Sequence, residues 1–150
     1  EIVRYDISEV PESGAKAAGV KSVNLKDDDY VVGYVLTQPK YIDLLRVGLI
    51  TQRGAFKQFK LKLVNKVSRA KRGVMVLREL KTKPHRIVAI TSYGQNHTLF
   101  LTTSSDRHME IKTNEFPLGD RYSNGSFVVD TTVDGVPTRL ELGKPINDQK

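Results

Sequence analysis

The chain has 150 residues, 39% of them apolar and 27% charged, which allows one ordinary domain with a real core and argues against intrinsic disorder. It has no cysteine, excluding a disulfide scaffold, thiolate zinc sites and cysteine nucleophiles; no apolar run nears the roughly 18 residues of a bilayer span, and no signal-peptide pattern opens the chain. The net charge of +7 is unevenly placed: Arg46 to Arg86 holds thirteen Lys or Arg against one acid, Glu79, while the remainder carries 11 bases and 16 acids, a concentration that selects polyanionic partners, nucleic acid first.

In chain order, strand signals fall at Tyr30–Leu36, Leu44–Thr51, Gly73–Leu77, Arg86–Ile90, Leu99–Thr103 and Ser126–Asp130, short runs rich in Val, Ile, Leu, Thr and Tyr with turn residues between them. No stretch sustains a 3.6-residue apolar period over twelve residues, although Leu61–Val76 leaves room for a helical turn. The expected fold class is all-β. Opening on Glu1 rather than Met, and without a leader, the sequence is expected to be a piece of a longer soluble, intracellular polypeptide.

The chain also repeats. Tyr5, Phe59 and Ile111 are each followed 14 residues later by a glycine (Gly19, Gly73 and Gly125), at offsets of 54 and 52. Around these anchors Val3-Arg4-Tyr5 matches Lys57-Gln58-Phe59 and Met109-Glu110-Ile111. A period near 50 residues with about four strands per unit predicts propeller-like β-pinwheel blades, a fragment of a larger ring. The units are 1–43 (a partial blade), 44–95 (the basic blade) and 96–150 (the last blade). Alternation puts Tyr5/Ile7, Phe59/Leu61 and Ile111/Thr113 on an apolar side, with Gln58, Lys60 and Lys62 on the polar side of the middle copy. The repeat glycines are expected to supply a positive-φ turn or a close backbone approach.

Only the middle copy is strongly basic. Lys60 and Lys62, about 6.6 Å apart at the usual strand rise, could meet successive phosphates. Arg53, Lys57, Lys66, Arg69, Lys71 and Arg72 lie in or beside adjoining turns, where long side chains reach a nucleic-acid backbone without base-edge geometry. These eight are the first line of expected DNA contacts, and Arg78, Lys81, Lys83 and Arg86 the second. Lys and Arg also keep β-rich surfaces soluble and block edge pairing; solubility alone, however, intersperses both signs.

Other chemistry is weaker. Asp27-Asp28-Asp29 lacks the alternation and distal Glu of a calcium loop and reads as a hairpin tip, so no metal site is expected. His85, His97 and His108 are scattered without zinc or triad spacing and read as surface or turn residues. Asn96-His97-Thr98 fits the glycosylation pattern with nothing to support it. No phosphate-binding glycine loop occurs. Tyr122, Phe127, Phe56 and Phe59 could stack on bases, but the repeat assigns Phe59 to the buried side, so duplex is favoured over single strands.

The run Glu9-Val10-Pro11-Glu12-Ser13-Gly14-Ala15-Lys16-Ala17-Ala18-Gly19-Val20-Lys21, then Val23 to Val32, together with Thr51-Gln52-Arg53-Gly54-Ala55-Phe56-Lys57, resembles the C-terminal β-pinwheel of type IIA bacterial topoisomerases. Within that group it looks most like the A subunit of topoisomerase IV from Gram-positive bacteria. The resemblance implies duplex DNA binding and bending along a basic rim, presenting a segment to a cleavage core for decatenation and supercoil relaxation. It implies no catalysis, catalytic residue, cofactor or small-molecule substrate in this piece. ATP, Mg²⁺, a second A subunit plus the ATPase subunit belong to the longer enzyme, a cytoplasmic, nucleoid-associated isomerase with peripheral membrane association as a further option. Gyrase A subunits carry a Gln-Arg-Arg-Gly-Gly-Lys-Gly box. Val67-Ser68-Arg69-Ala70-Lys71-Arg72-Gly73 keeps Arg69, Arg72 and Gly73 but loses the opening Gln-Arg and the paired glycines, which favours topoisomerase IV over gyrase-like wrapping. The rival readings are a propeller-like module docking an acidic protein, the gyrase A wrapping domain, and a β-rich RNA binder.

Overall fold

The computed structural model describes residues 1–147; residues 148–150, the end of the expected last blade, lie outside the described residues. Two antiparallel sheets form the body. The first takes β1 (Arg46–Thr51), β2 (Ala55–Lys60), β3 (Ile87–Tyr93) and the two-residue β6 (Ser126–Phe127), in the order β3-β1-β2-β6. The second takes β4 (His97–Thr103), β5 (His108–Lys112) and β7 (Pro137–Pro145), in the order β5-β4-β7. Among the described residues there is no α-helix, only four 3₁₀ turns.

The first sheet is buried on both faces, because β1 points Ile50 one way and Val47 and Leu49 the other. Ile50 joins Phe56, Tyr93, Leu99, Leu101, Ile111, Val129 and Leu140 in a cluster shared by the two sheets. Val47 and Leu49 join Phe59, Leu61, Val64, Val76 and Leu77 beneath the loop that follows β2. Burial on both sides is why Arg46–Thr51 reads as a nearly continuous apolar run instead of an alternating one.

The repeat survives in three dimensions. Three of the 3₁₀ turns, Ile7–Glu9, Leu61–Leu63 and Thr113–Glu115, stand at the same offsets of 54 and 52 as the sequence anchors. Each closes on an equivalent backbone bond: Val10 N–H to Ile7 O, Val64 N–H to Leu61 O, Phe116 N–H to Thr113 O. Arg4 bridges Lys66 in parallel, as Gln58 bridges Leu118. Arg4 Nε donates to Val64 O at 2.6 Å, and Gln58 Nε2 donates to Phe116 O at 2.8 Å. One side chain from each of the first two repeats thus locks it to the closing turn of the next. Glu110, the third residue in that position, is exposed.

Several sequence expectations change. Tyr30–Leu36 and Gly73–Leu77 form no strand, the latter contributing only the isolated Ile2–Val74 bridge. Ser126–Asp130 shrinks to Ser126–Phe127, while β7 falls outside every expected run. Gln58 is not on a solvated face: it is 2% exposed, with Nε2 donating to Thr113 O and Phe116 O and Oε1 accepting from Tyr93. The strand also ends at Lys60, and Leu61–Leu63 turns as 3₁₀, so Lys60 and Lys62 do not project from one strand face. The first sheet draws its edge from Ser126–Phe127, beyond the 95/96 boundary.

Two of the repeat glycines, Gly19 at +82° and Gly125 at +78°, have positive φ. Gly73 does not; a Cβ there would meet Glu1 and Ile2 at 2.9 Å, so the constraint in the middle copy is close approach of backbone, and Ala70 takes the positive φ of 64°.

Candidate nucleic-acid interface

The basic segment runs from β2 through the turn and loop that cover one core cluster and on to β3, so its apolar residues (Leu61, Val64, Val76, Leu77) point inward and its cations are pushed outward. Of the expected contacts, Lys60, Lys62, Lys66, Lys71 and Arg72 are exposed in the first half. Arg78, Lys81, Lys83 and Arg86 are exposed in the second. Arg86 lies 3.6 Å from Glu79, but both side chains are more than half exposed, and such pairs contribute little. Among the described residues the other eight pair with no carboxylate within salt-bridge distance.

Three expected contacts are committed to the protein to different degrees. Lys57 is the clear correction. It is 3% exposed, and its Nζ donates to Val76 O at 2.6 Å and Ser123 O at 2.7 Å, tying β2 to two loops. Burial pushes its pKa down to about 8, only partly opposed by Asp120. No phosphate reaches that ammonium without opening the fold. Arg69 is half-buried: its backbone N–H donates to Glu9 Oε1, its Nε to Glu9 O, and its Nη1 to Lys21 O. It splices the first repeat to the second.

Arg53, in the β1–β2 turn, is half-buried but differently placed. Its Nη1 donates to Lys83 O at 2.9 Å and sits 3.2 Å from His85 Nε2, while its Cζ lies 5.5 Å from the centre of the Phe127 ring. His85 is itself buried at 6% exposed, contrary to the surface role expected for it. Desolvation, then the Arg53 charge, lowers its pKa. Sequence reasoning missed this residue because a lone histidine carries no spacing signal.

The aromatics divide as the repeat predicts for Phe59. Phe56 and Phe59 are buried, whereas Tyr122 and Phe127 are 74% and 62% exposed. Asp27-Asp28-Asp29 is a turn, with Asp28 at φ 67° and Asp29 N–H bonded to Lys26 O. Among the described residues no group of three His, Asp or Glu side chains is placed to hold a metal, and no helix is long and apolar enough to cross a membrane.

The family described as DNA gyrase C-terminal domain, beta-propeller, matches residues 2–36 and 49–92. The A subunit of DNA topoisomerase 4 from Bacillus subtilis is 48% identical over 133 residues, covering 88% of this chain and 16% of that protein. Its counterpart from Streptococcus pneumoniae is 38% identical over 148 residues, covering 88% and 17%. A crystal structure of the C-terminal domain of DNA topoisomerase IV superposes with a TM-score of 0.85 at 40% identity, covering 93% of this chain and 42% of that one. The chain therefore spans only about a sixth of the length of these curated relatives.

Proposed function

Because the chain belongs to the DNA gyrase C-terminal domain, beta-propeller family, we propose that it binds and bends duplex DNA within the longer A subunit of a topoisomerase IV. The observation that carries this reading is the set of nine exposed cations between Lys60 and Arg86, eight of them unpaired. Distributed ammonium and guanidinium groups without a central aromatic anchor suit a phosphate backbone better than a protein partner. Contacts of this kind are tolerant of sequence and sensitive to salt. Bending a site of two to three helical turns costs on the order of 1 to 6 kcal/mol, offset by added phosphate contacts. In the longer enzyme the consequence is geometric: a bent segment is presented to the cleavage core for strand passage, in decatenation and supercoil relaxation. ATP, Mg²⁺, a second A subunit plus the ATPase subunit operate outside this piece, on the nucleoid in the cytoplasm.

Fluorescence anisotropy of a labelled linear duplex across a salt series tests the reading, with Lys60, Lys62, Lys66, Lys71 and Arg72 all changed to Gln. Wild-type affinity should fall steeply with salt. If all five are phosphate contacts, the variant's slope of log K against log salt is shallower by roughly 4.5. Equal slopes for the two proteins would place the DNA elsewhere.

A further inference from the structure

The β1–β2 turn is laced to the segment before β3. Gln52 Nε2 donates to Pro84 O at 2.7 Å, and the Arg86 N–H donates to Gln52 Oε1. Within that lacing Arg53 Nη1 meets both Lys83 O and His85 Nε2. A guanidinium only donates, so Nε2 is the bare nitrogen of a neutral ring and the proton sits on Nδ1. Nδ1 then donates to Thr51 Oγ1, 3.0 Å away. Thr51 Oγ1 also accepts the Ala55 N–H at 3.2 Å, so the chain of bonds is anchored in the sheet. The lowered pKa of His85, caused by burial and the neighbouring Arg53, agrees with that protonation state.

These contacts occupy one end of the guanidinium. Its Nε–H and Nη2–H edge has no acceptor among the described residues, and that edge is the planar fork that grips two oxygens of a phosphate. Its Cζ lies over the Phe127 ring, and Arg53, Lys83 and Phe127 line an open groove of about 630 Å³. Arg69, by contrast, spends its Nε on Glu9 O, and Lys60, Lys62 and Lys71 are exposed with no side-chain acceptor to orient them. Arg46 and Arg86 are also bonded through Nη1 with the fork left over, but among the described residues of the basic segment Arg53 is the arginine that adds an aromatic ring to the contacts fixing its guanidinium.

We propose that Arg53 is a pre-oriented seat for one phosphodiester, that His85 is the residue positioning it, and that Lys83 and Phe127 supply the second cation and an apolar wall for the sugar. The proposal rests on the DNA-binding reading and adds a defined contact to it. Holding the arginine before DNA arrives removes most of its ordering cost from binding. The seat is also sensitive to pH. Protonating His85 turns Nε2 into a donor facing a donor and repels Arg53. The other charges around the ring are Lys83, Arg86 (which donates to His85 O), Glu79 beyond it, and Asp130 across the groove. Asp130 is held below the usual carboxylate range by Thr132 and stays ionised.

Duplex binding of the wild type, Arg53→Gln, His85→Leu and His85→Gln, each from pH 7.5 down to 5, tests the seat. Arg53→Gln should weaken binding roughly tenfold and reduce the salt slope by about one. His85→Leu, which removes no cation, should give most of the same loss in affinity. His85→Gln, whose amide can accept from Arg53 and donate to Thr51, should restore it. As the pH falls below the ordinary histidine range, the wild type should lose the Arg53 share while His85→Gln keeps it. Unchanged binding by His85→Leu overturns the positioning role. Unchanged binding by Arg53→Gln, with the five-residue variant still weakened, overturns the seat and leaves DNA binding standing. If the wild type binds no duplex, the DNA reading falls, and the Arg53 Nε–H NMR resonance decides the seat: a shift on adding dimethyl phosphate in the wild type and His85→Gln but not His85→Leu supports it, and no shift overturns it.

Discussion

The first repeat and the second carry the same pattern, yet only the second is buried by it. Leu61, in the 3₁₀ turn after β2, is 3% exposed, and its third-repeat counterpart Thr113 is fully buried; Ile7, at the same position in the first repeat, is 66% exposed. Tyr30–Leu36 aligns by the same offsets with Pro84–Ile90 and Val136–Leu142. Those segments lead into or form β3 and β7, which pair with β1 and β4. Among the described residues Tyr30–Leu36 pairs with no strand, and Tyr34 and Leu36 are 79% and 72% exposed. Strand propensity without a partner does not make a strand.

The contrast makes equivalent substitutions unequal in cost. Leu61→Ala should destabilise by about 2 to 5 kcal/mol, the range for a buried leucine, whereas Ile7→Ala should cost about 0.5 kcal/mol or less. Urea unfolding of both variants measures the difference. A comparable loss at Ile7 would mean that the first repeat's apolar face is covered in solution.

The glycines sharpen the comparison. Gly19 and Gly125 share a positive φ, but a Cβ at Gly19 meets nothing within 4 Å, while at Gly125 it runs into the Phe56 carbonyl and lies 2.9 Å from Lys57 Cβ. Gly19→Ala should therefore cost only the left-handed backbone, about 1 kcal/mol, and Gly125→Ala that strain plus overpacking, roughly 3 kcal/mol. Equal shifts in unfolding midpoint would show that close packing of the second sheet's loop on β2 contributes nothing.

Legibility followed periodicity. The anchors Tyr5, Phe59 and Ile111 marked the repeat, although strand alternation was read through Ile7, Leu61 and Thr113, where the chain turns as 3₁₀; β1, β3 and β4 were readable because apolar β-branched runs dominate them. β7 escaped because Pro137, Arg139, Glu141 and Lys144 break its apolar pattern, although its offset from β3 was there to be read. Gly73–Leu77 failed for the opposite reason: its apolar residues serve a covering loop, where burial needs no ladder. In the interface, charge density marked the segment but not its members. Arg53 drew attention as a turn cation, while His85, which fixes it, became visible only when the chain brought residues 51, 53 and 85 together.

Lys57 is the instructive failure, because the repeat itself contained the answer. Its counterparts are Val3 and Met109, so the position is an apolar one that the middle repeat fills with a lysine whose stem packs inward and whose ammonium finds two carbonyls. Its pKa is lowered to about 8 in the fold against about 10.4 in an unfolded chain. Between those values the unfolded state holds more protons, so stability rises with pH; as pH falls through 8 that gain is lost and the full cost of burying the charge returns. The slope is bounded by the roughly 1.4 kcal/mol per pH unit of one proton. Unfolding free energies from pH 7.5 to 9.5 should climb gently for the wild type and stay flat for Lys57→Met, the substitution that copies the third repeat. A flat wild-type profile would put that ammonium in water and return Lys57 to the set of cations open to DNA.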